Sequence, residues 1–249
     1  MPAGAAVAGM TLELLGFVWL GAFLGAFAVG AAGFAFALAA TALWLHVLDP
    51  LRATFLVAAC GAMLQVGMIW QIRRTIEPPR LMPFVLAGLV GVPIGVYVLA
   101  RVDPHAIKIA LGTFLVAYGV YALATPRLPR IAVGGRAADA AVGFVSGILG
   151  GLGGYSGVLP TIWTQLRGWS KEAARGVYQP FILAMQIATL LSAGIVAFDA
   201  FSIELIGATV PALLAGAWLG LIAFGRLDER RFRQVLAIMI AASGAMLVV

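Results

Sequence analysis

The chain has 249 residues, of which 63% are hydrophobic and only 10% are charged. Soluble domains carry about 25% charged residues, so this composition excludes a soluble globular protein and makes lipid the solvent for most of the surface. The formal net charge of +6 comes from basic residues between apolar runs, where Lys and Arg set membrane orientation, so we expect no nucleic-acid partner. A single cysteine, Cys60, excludes an intrachain disulfide.

Apolar runs follow one another along the chain, separated by short polar loops. They cover residues 12–29, 34–47, 54–72, 81–100, 105–124, 138–152, 155–166, 176–197, 203–224 and 232–249. Runs of about 20 residues are long enough to cross a bilayer as helices. We therefore predict an all-α, polytopic integral membrane protein with 8–10 membrane segments.

Two stretches, 12–47 and 138–166, are long apolar segments interrupted by glycine. The first is broken at Gly30 and Gly33, and the second between Gly150 and Gly157. A straight helix over 12–47 would be about 54 Å long, far beyond the hydrocarbon core of about 30 Å. Each stretch must therefore fold back, and the sequence leaves open whether it forms two short spans or a re-entrant hairpin.

The distribution of basic residues over the loops favours this folding back. If both stretches return to the side on which they began, 13 basic residues lie on one side of the membrane and 3 on the other, whereas single crossings would give about 10 and 6. The larger group is Arg73, Arg74, Arg80, Arg127, Arg130, Arg136, Arg167, Lys171, Arg175, Arg226, Arg230, Arg231 and Arg233, and the smaller is Arg52, Arg101 and Lys108. By the positive-inside rule, both termini are predicted to be periplasmic in a bacterial inner membrane.

An internal repeat is visible in the spacing of glycines and charges. Gly91, Gly95, Arg101, Asp103 and Gly119 have counterparts 125 positions later at Gly216, Gly220, Arg226, Asp228 and Gly244. Gly21 and Gly25 match Gly143 and Gly147 at a spacing of 122. Each half then holds one broken hairpin and three spans. With the hairpin counted as two, this makes five crossings, which is an odd number. We predict two inverted repeats, residues 1–125 and 126–249, which is typical of secondary transporters; a duplicated structural bundle or channel is the alternative.

The glycine breaks also predict where a solute binds. A helix that begins inside the bilayer offers an anion unpaired N–H groups and a positive dipole end, and irregular backbone at this depth lines a cavity or packs on protein. Ser156 is predicted to cap the second half-helix or to donate its hydroxyl. The backbone candidates are Gly30, Gly33, Gly150, Gly151, Gly153, Gly154, Tyr155 and Ser156. The alternative is that these glycines only permit close helix packing.

Polar side chains within the apolar runs complete the candidate site. Gln65 lies on the third run, and Tyr178, Gln179 and Gln186 lie on its repeat partner, headed by Arg175. Amides donate to an anion without the cost of burying another charge, although an interhelical hydrogen bond is an equally good reading for a single Gln.

Three further residues are candidates for a gate or vestibule. They are Arg52, Trp70 and Trp163, for which a topology charge and interfacial anchoring are the alternatives. His46 and His105 lie at opposite ends of different spans, and Cys60 lacks a nearby base. We therefore expect no enzymatic activity, no metal and no cofactor.

Three segments carry a family resemblance: GAFLGAFAVGAAGF (21–34), GFVSGILGGLGGYSGVLP (143–160) and WSKEAARGVYQPF (169–181). With its repeat organisation, the chain resembles the TauE/SafE sulfite exporter family of membrane transporters. Where the family has Gly-Thr-Ser, this chain reads Gly-Val-Tyr-Gln-Pro at 176–180. The resemblance implies a small anionic solute such as sulfite, sulfoacetate or another organosulfonate, or a small carboxylate.

The transport mechanism, the function class and the assembly are expectations at the level of sequence, and the last two have alternatives. Alternating access of two inverted halves is the expected mechanism of transport. An anion channel, or a structural membrane subunit of a redox complex, is the alternative function. The lipid bilayer is the expected environment, and a homodimer is the assembly that we keep open.

Overall fold

A computed structural model describes residues 12–101, 103–124, 130–131, 133–197, 199–225 and 229–248, and within these ranges the chain is helical without a strand. The helices are α1 (Leu12–Ala32), α2 (Phe36–Trp44), α3 (Pro50–Ile72), α4 (Pro78–Leu99), α5 (Pro104–Ala124), α6 (Gly135–Gly153), α7 (Val158–Leu166), α8 (Lys171–Ala197), α9 (Ala200–Gly225) and α10 (Glu229–Val248). Five of them (α1, α3, α4, α8 and α9) are long and apolar enough to cross a membrane. The predicted all-α polytopic membrane protein is confirmed.

Each glycine break separates a long helix from a short one. Helices α1 and α6 have 21 and 19 residues, about 30 Å each, whereas α2 and α7 have nine residues each. The breaks contain Gly33 and Gly154, whose φ angles are +80° and +79°. This left-handed conformation ends a helix and strongly favours glycine, which has no Cβ to clash.

Both short helices fold back along the long helix that precedes them. The Trp44 indole Nε1 donates to the carbonyl of Val18 at 3.1 Å, which ties the end of α2 to the first half of α1. The Trp163 Nε1 donates to Oδ1 of Asp139 at 2.7 Å and ties the end of α7 to the start of α6. The predicted folding back of both stretches is confirmed, and both take the same form.

The four most extensive helix contacts between the two halves of the chain are α1 with α9, α4 with α6, α3 with α8, and α5 with α10. Exchanging α1–α5 with α6–α10 carries this set of pairs onto itself, as an internal repeat requires. The predicted boundary at 125 and the repeat residues Arg226 and Asp228 lie outside the described residues. The division into two repeats therefore stays a prediction.

Glycines of the repeat lie in the two equivalent crossings, α4 with α6 and α1 with α9. A Cβ added to Gly95 would lie 3.0 Å from Cα of Gly151, and one added to Gly220 would lie 2.9 Å from Cα of Gly30. Small residues at such crossings let backbones approach closely, which is how helices gain packing energy in lipid.

Contacts at the ends of the bundle sort the loops into two groups. At one end, Arg52 pairs with Asp199 at 2.8 Å and joins the start of α3 to the α8–α9 loop. At the other end, the N–H of Ile131 donates to the carbonyl of Leu166 at 2.7 Å, and Arg80 lies over the Trp169 ring. The count of basic residues put these loops into the same two groups, while the side that faces the cytoplasm stays a prediction.

Candidate functional site

A small buried cavity lies where the two helix breaks meet. Its volume is about 20 Å³, room for about one water molecule. Its walls come from both breaks and from α3 and α8: Val29, residues 34–38, Gln65, Gly154, Tyr155, Gly157, Val158, Ile182 and Gln186. The structure thus brings both breaks, α3 and α8 together at one cavity.

Both half-helices begin at this cavity. The first N–H groups of a helix have no intrahelical partner, and its N-terminus carries about half a positive charge. The N-cap residues, Ala35 for α2 and Gly157 for α7, provide no side-chain cap. Ala35 has a φ of +75°, an unfavourable conformation for alanine that is typical of functional segments. The cavity therefore faces two helix N-termini without side-chain caps.

The predicted capping role of Ser156 is wrong. A 3-10 turn over Tyr155–Gly157 precedes α7, and the N-cap falls on Gly157. The Ser156 hydroxyl is buried and has no hydrogen-bond partner among the described residues. It keeps the other predicted role, that of a hydroxyl donor.

Two glutamine side chains meet at the first break. The Nε2 atoms of Gln65 and Gln179 donate to the carbonyl of Gly33 at 3.3 Å and 3.4 Å. Both side chains are only 1% exposed. This one carbonyl therefore links the α1–α2 turn to α3 and to α8, and both halves of the chain contribute to the arrangement.

Arg175 brings a positive charge to the same turn. A Cβ on Gly33 would lie 3.0 Å and 3.1 Å from Nε and Nη2 of Arg175 and would clash with the Gln179 amide. The arginine is only 8% exposed, and it interacts with the hydroxyl of Tyr178. Because guanidinium does not lose its proton in proteins, this position carries a permanent charge inside the bundle.

Three buried carboxamide oxygens are left without a hydrogen-bond partner in the described part of the chain: Oε1 of Gln65, Gln179 and Gln186. Gln65 and Gln186 both line the cavity. They are separated by 121 positions, the same interval that separates Gly33 from Gly154. Sequence reasoning singled out both glutamines but missed their equivalence, which this spacing would have revealed.

Several predicted residues of the breaks lie in packing contacts. Gly30 contacts α9, and Gly151 contacts α4, at the two crossings described above. A Cβ on Gly150 would meet Ser156 at 3.1 Å, and one on Gly153 would meet the Tyr155 ring. Gly154 and Tyr155 line the cavity. The cavity is therefore lined by a subset of the predicted residues, and close packing explains Gly30 and Gly151.

None of the three predicted gate residues is among the residues that line the cavity. Trp70 is 70% exposed and stacks under Arg73, which suits the membrane interface. Trp163 is half-buried and holds Asp139, a buried carboxylate that sequence reasoning missed although it interrupts an apolar run. Their placement favours anchoring and structural roles.

Arg52, the third gate residue, lies at the start of α3 in a network at one end of the bundle. It pairs with Asp199 at 2.8 Å and with Asp49 at 3.5 Å, and it lies over the Phe201 ring. Hydrogen bonds from Ser202, together with Arg52, hold the pKa of Asp199 below its usual value. This network joins the beginnings of α3 and α9.

Comparisons with known proteins give one match. The model of the family described as Sulfite exporter TauE/SafE matches residues 18–247 of the chain. Neither a curated protein nor a solved structure matches this chain.

Proposed function

Since the chain belongs to the TauE/SafE sulfite exporter family, we propose that it is a secondary transporter that binds a small anion between its two helix breaks. A role in membrane transport follows from the family. The proposed solute is sulfite, an organosulfonate such as sulfoacetate, or a related small carboxylate. The proposed location is a bacterial inner membrane with both termini periplasmic.

The convergence of positive potential on one buried cavity carries this proposal. An anion that leaves water loses its hydration shell, and buried donors have to replace it. The N-termini of α2 and α7 each contribute about half a positive charge, and Arg175 adds a full charge nearby. The C-termini of α1 and α6 lie at the same breaks and carry opposite partial charges, so Arg175 supplies the net positive charge for an oxyanion, while the half-helix N–H groups supply donors.

The size of the cavity supports alternating access as the mechanism. A volume of about 20 Å³ is too small for sulfite or a sulfonate, so the solute has to enter a more open conformation. Close glycine crossings join α1 to α9 and α4 to α6, which makes each pair a unit that moves together. We propose that these two pairs, each of which takes one helix from residues 1–125 and one from 126–249, rock against each other around the α3–α8 contact and expose the site to either side in turn.

Sulfite uptake into proteoliposomes tests this function. The wild type should show saturable uptake, and Arg175→Gln should reduce it at least tenfold, because a hydrogen bond to a charged group contributes about 1.5–3 kcal/mol. Arg101→Gln is the matched control, since Arg101 is exposed and lies over the Tyr97 ring at the end of α4. A thermal melt of each variant checks folding.

Each outcome bears on a different part of the proposal. If Arg175→Gln takes up sulfite as fast as wild type, the anion does not bind beside Arg175. Flux that rises without saturation would indicate a channel. An absence of flux for sulfite, sulfonates and small carboxylates alike would refute the transport proposal for these solutes.

A further inference from the structure

The buried glutamines restrict which anions fit the site, beyond the requirement for a negative charge. At Gln65 and Gln179 the Nε2 atoms face the Gly33 carbonyl, and rotation of either amide would put an oxygen against that oxygen. Both orientations are therefore fixed, and neither Oε1 atom has a hydrogen-bond partner in the described part of the chain.

Gln186 lies on another wall of the same cavity. A Cβ on Gly61 of α3 would clash with Nε2 of Gln186 but lie 3.5 Å from Oε1. The nitrogen therefore faces the α3 backbone, and the oxygen is turned further from it. This oxygen also has no partner among the described residues, and the side chain is only 4% exposed.

Unpaired acceptors at such depth are costly, and native proteins rarely leave them. The cavity has room for about one water molecule, whose two hydrogens can serve the two acceptors that line it, Gln65 and Gln186. An oxyanion without polar hydrogens that displaces this water would leave both unpaired and would place its own oxygens against them. A solute that carries a hydrogen-bond donor would replace a hydrogen bond of the displaced water.

We propose that the transported anion carries a hydrogen-bond donor, such as a hydroxyl, at the end opposite its charged group. This inference rests on the proposed transport function. The charged group binds near Arg175 and the half-helix N-termini, and the donor is shared between the oxygens of Gln65 and Gln186, which both line the cavity. A two-carbon hydroxysulfonate has this arrangement of groups.

Two sulfonates of the same shape test the proposal: 2-hydroxyethanesulfonate and 1-propanesulfonate, in which a methyl replaces the hydroxyl. Their dissociation constants are measured by calorimetry on the detergent-purified protein. We expect the hydroxyl compound to bind about 5- to 150-fold more tightly, the range for one buried acceptor left unpaired.

Variants then locate the residues that recognise the donor. Gln186→Met keeps the side-chain length but removes the acceptor, so the preference should fall to about threefold or less. Arg175→Gln should weaken both sulfonates by the same factor. Gln165→Met is the control, since Gln165 is half-buried at the end of α7 and is not among the residues that line the cavity; it should keep the wild-type preference. If Gln186→Met does not fold, Gln65→Met makes the same test.

Equal binding of the two sulfonates to wild type would overturn the inference while leaving anion transport intact. A preference that survives in both glutamine variants would overturn it as well, because the donor would then be read elsewhere. Failure of both sulfonates to bind overturns the inference for these ligands. If sulfite and small carboxylates then also fail to bind and to cross proteoliposomes, the transport proposal fails with it.

Discussion

Gly33→Ala separates the cost of backbone strain from the loss of the anion site. At φ +80° an alanine costs about 1–2 kcal/mol of stability. Its Cβ would also meet the Gln179 amide and lie 3.0–3.1 Å from the Arg175 guanidinium. These neighbours are the ends of flexible side chains, so they move aside at little cost to folding, but they leave the positions from which they act on an anion.

The expected loss of affinity follows from the displaced groups. A hydrogen bond to a charged group contributes about 1.5–3 kcal/mol, which corresponds to about 10- to 150-fold weaker binding of sulfite. Calorimetry on the purified protein measures the affinity, and a thermal melt without ligand measures the stability.

Gly168→Ala is a matched control at a distance from the site. Its φ is +67°, and its Cβ would meet the flexible side chain of Arg130 at 2.9 Å, so it imposes similar strain in the α7–α8 loop. We expect a similar or smaller loss of thermal stability and unchanged sulfite binding. Wild-type affinity in Gly33→Ala, or an equal loss in Gly168→Ala, would refute the assignment of the first break to the site.

Three further predictions concern stability and are read from thermal melts. Gly95→Ala should lower the melting temperature because its Cβ points at the α6 backbone, whereas Gly67→Ala, with open space around it, should not; equal melting temperatures would contradict close packing at this crossing. The lowered pKa of Asp199 means that its contribution is present at neutral pH and is lost on acidification, so the stability difference between wild type and Asp199→Asn should be constant above about pH 5 and shrink as the pH falls further, through the lowered pKa; a difference that grows on acidification would contradict this. Trp163→Phe leaves the buried carboxylate on α6 without its indole donor and should lower the free energy of unfolding by about 1–3 kcal/mol. Trp70→Phe changes an exposed residue and should lower it by less than Trp163→Phe does.

Composition and glycine placement predicted most of the fold. Each of the ten apolar runs corresponds to a helix within the described residues, because membrane helices need long apolar segments. The two breaks were also predictable, since glycine inside an apolar run marks either a turn or a close crossing. Sequence could not tell these two apart: Gly33 turns the chain, whereas Gly30 three residues earlier packs against α9.

The site itself depended on contacts that local patterns do not encode. That Gln65 and Gln179 share one carbonyl follows from α3 packing on α8, which brings together residues more than 100 positions apart. The position of Ser156 was missed because a 3-10 turn moved the start of α7 to Val158, and helix ends are the least certain part of a sequence prediction.

We propose that a small oxyanion binds between the N-termini of α2 and α7. An experimental structure with selenite in place of sulfite tests this directly, since the anomalous signal of selenium locates the anion. We predict a peak between the first turns of α2 and α7, within hydrogen-bonding distance of Arg175 and absent in Arg175→Gln. A peak at another place in the bundle, or one that is unchanged in the variant, would contradict the account.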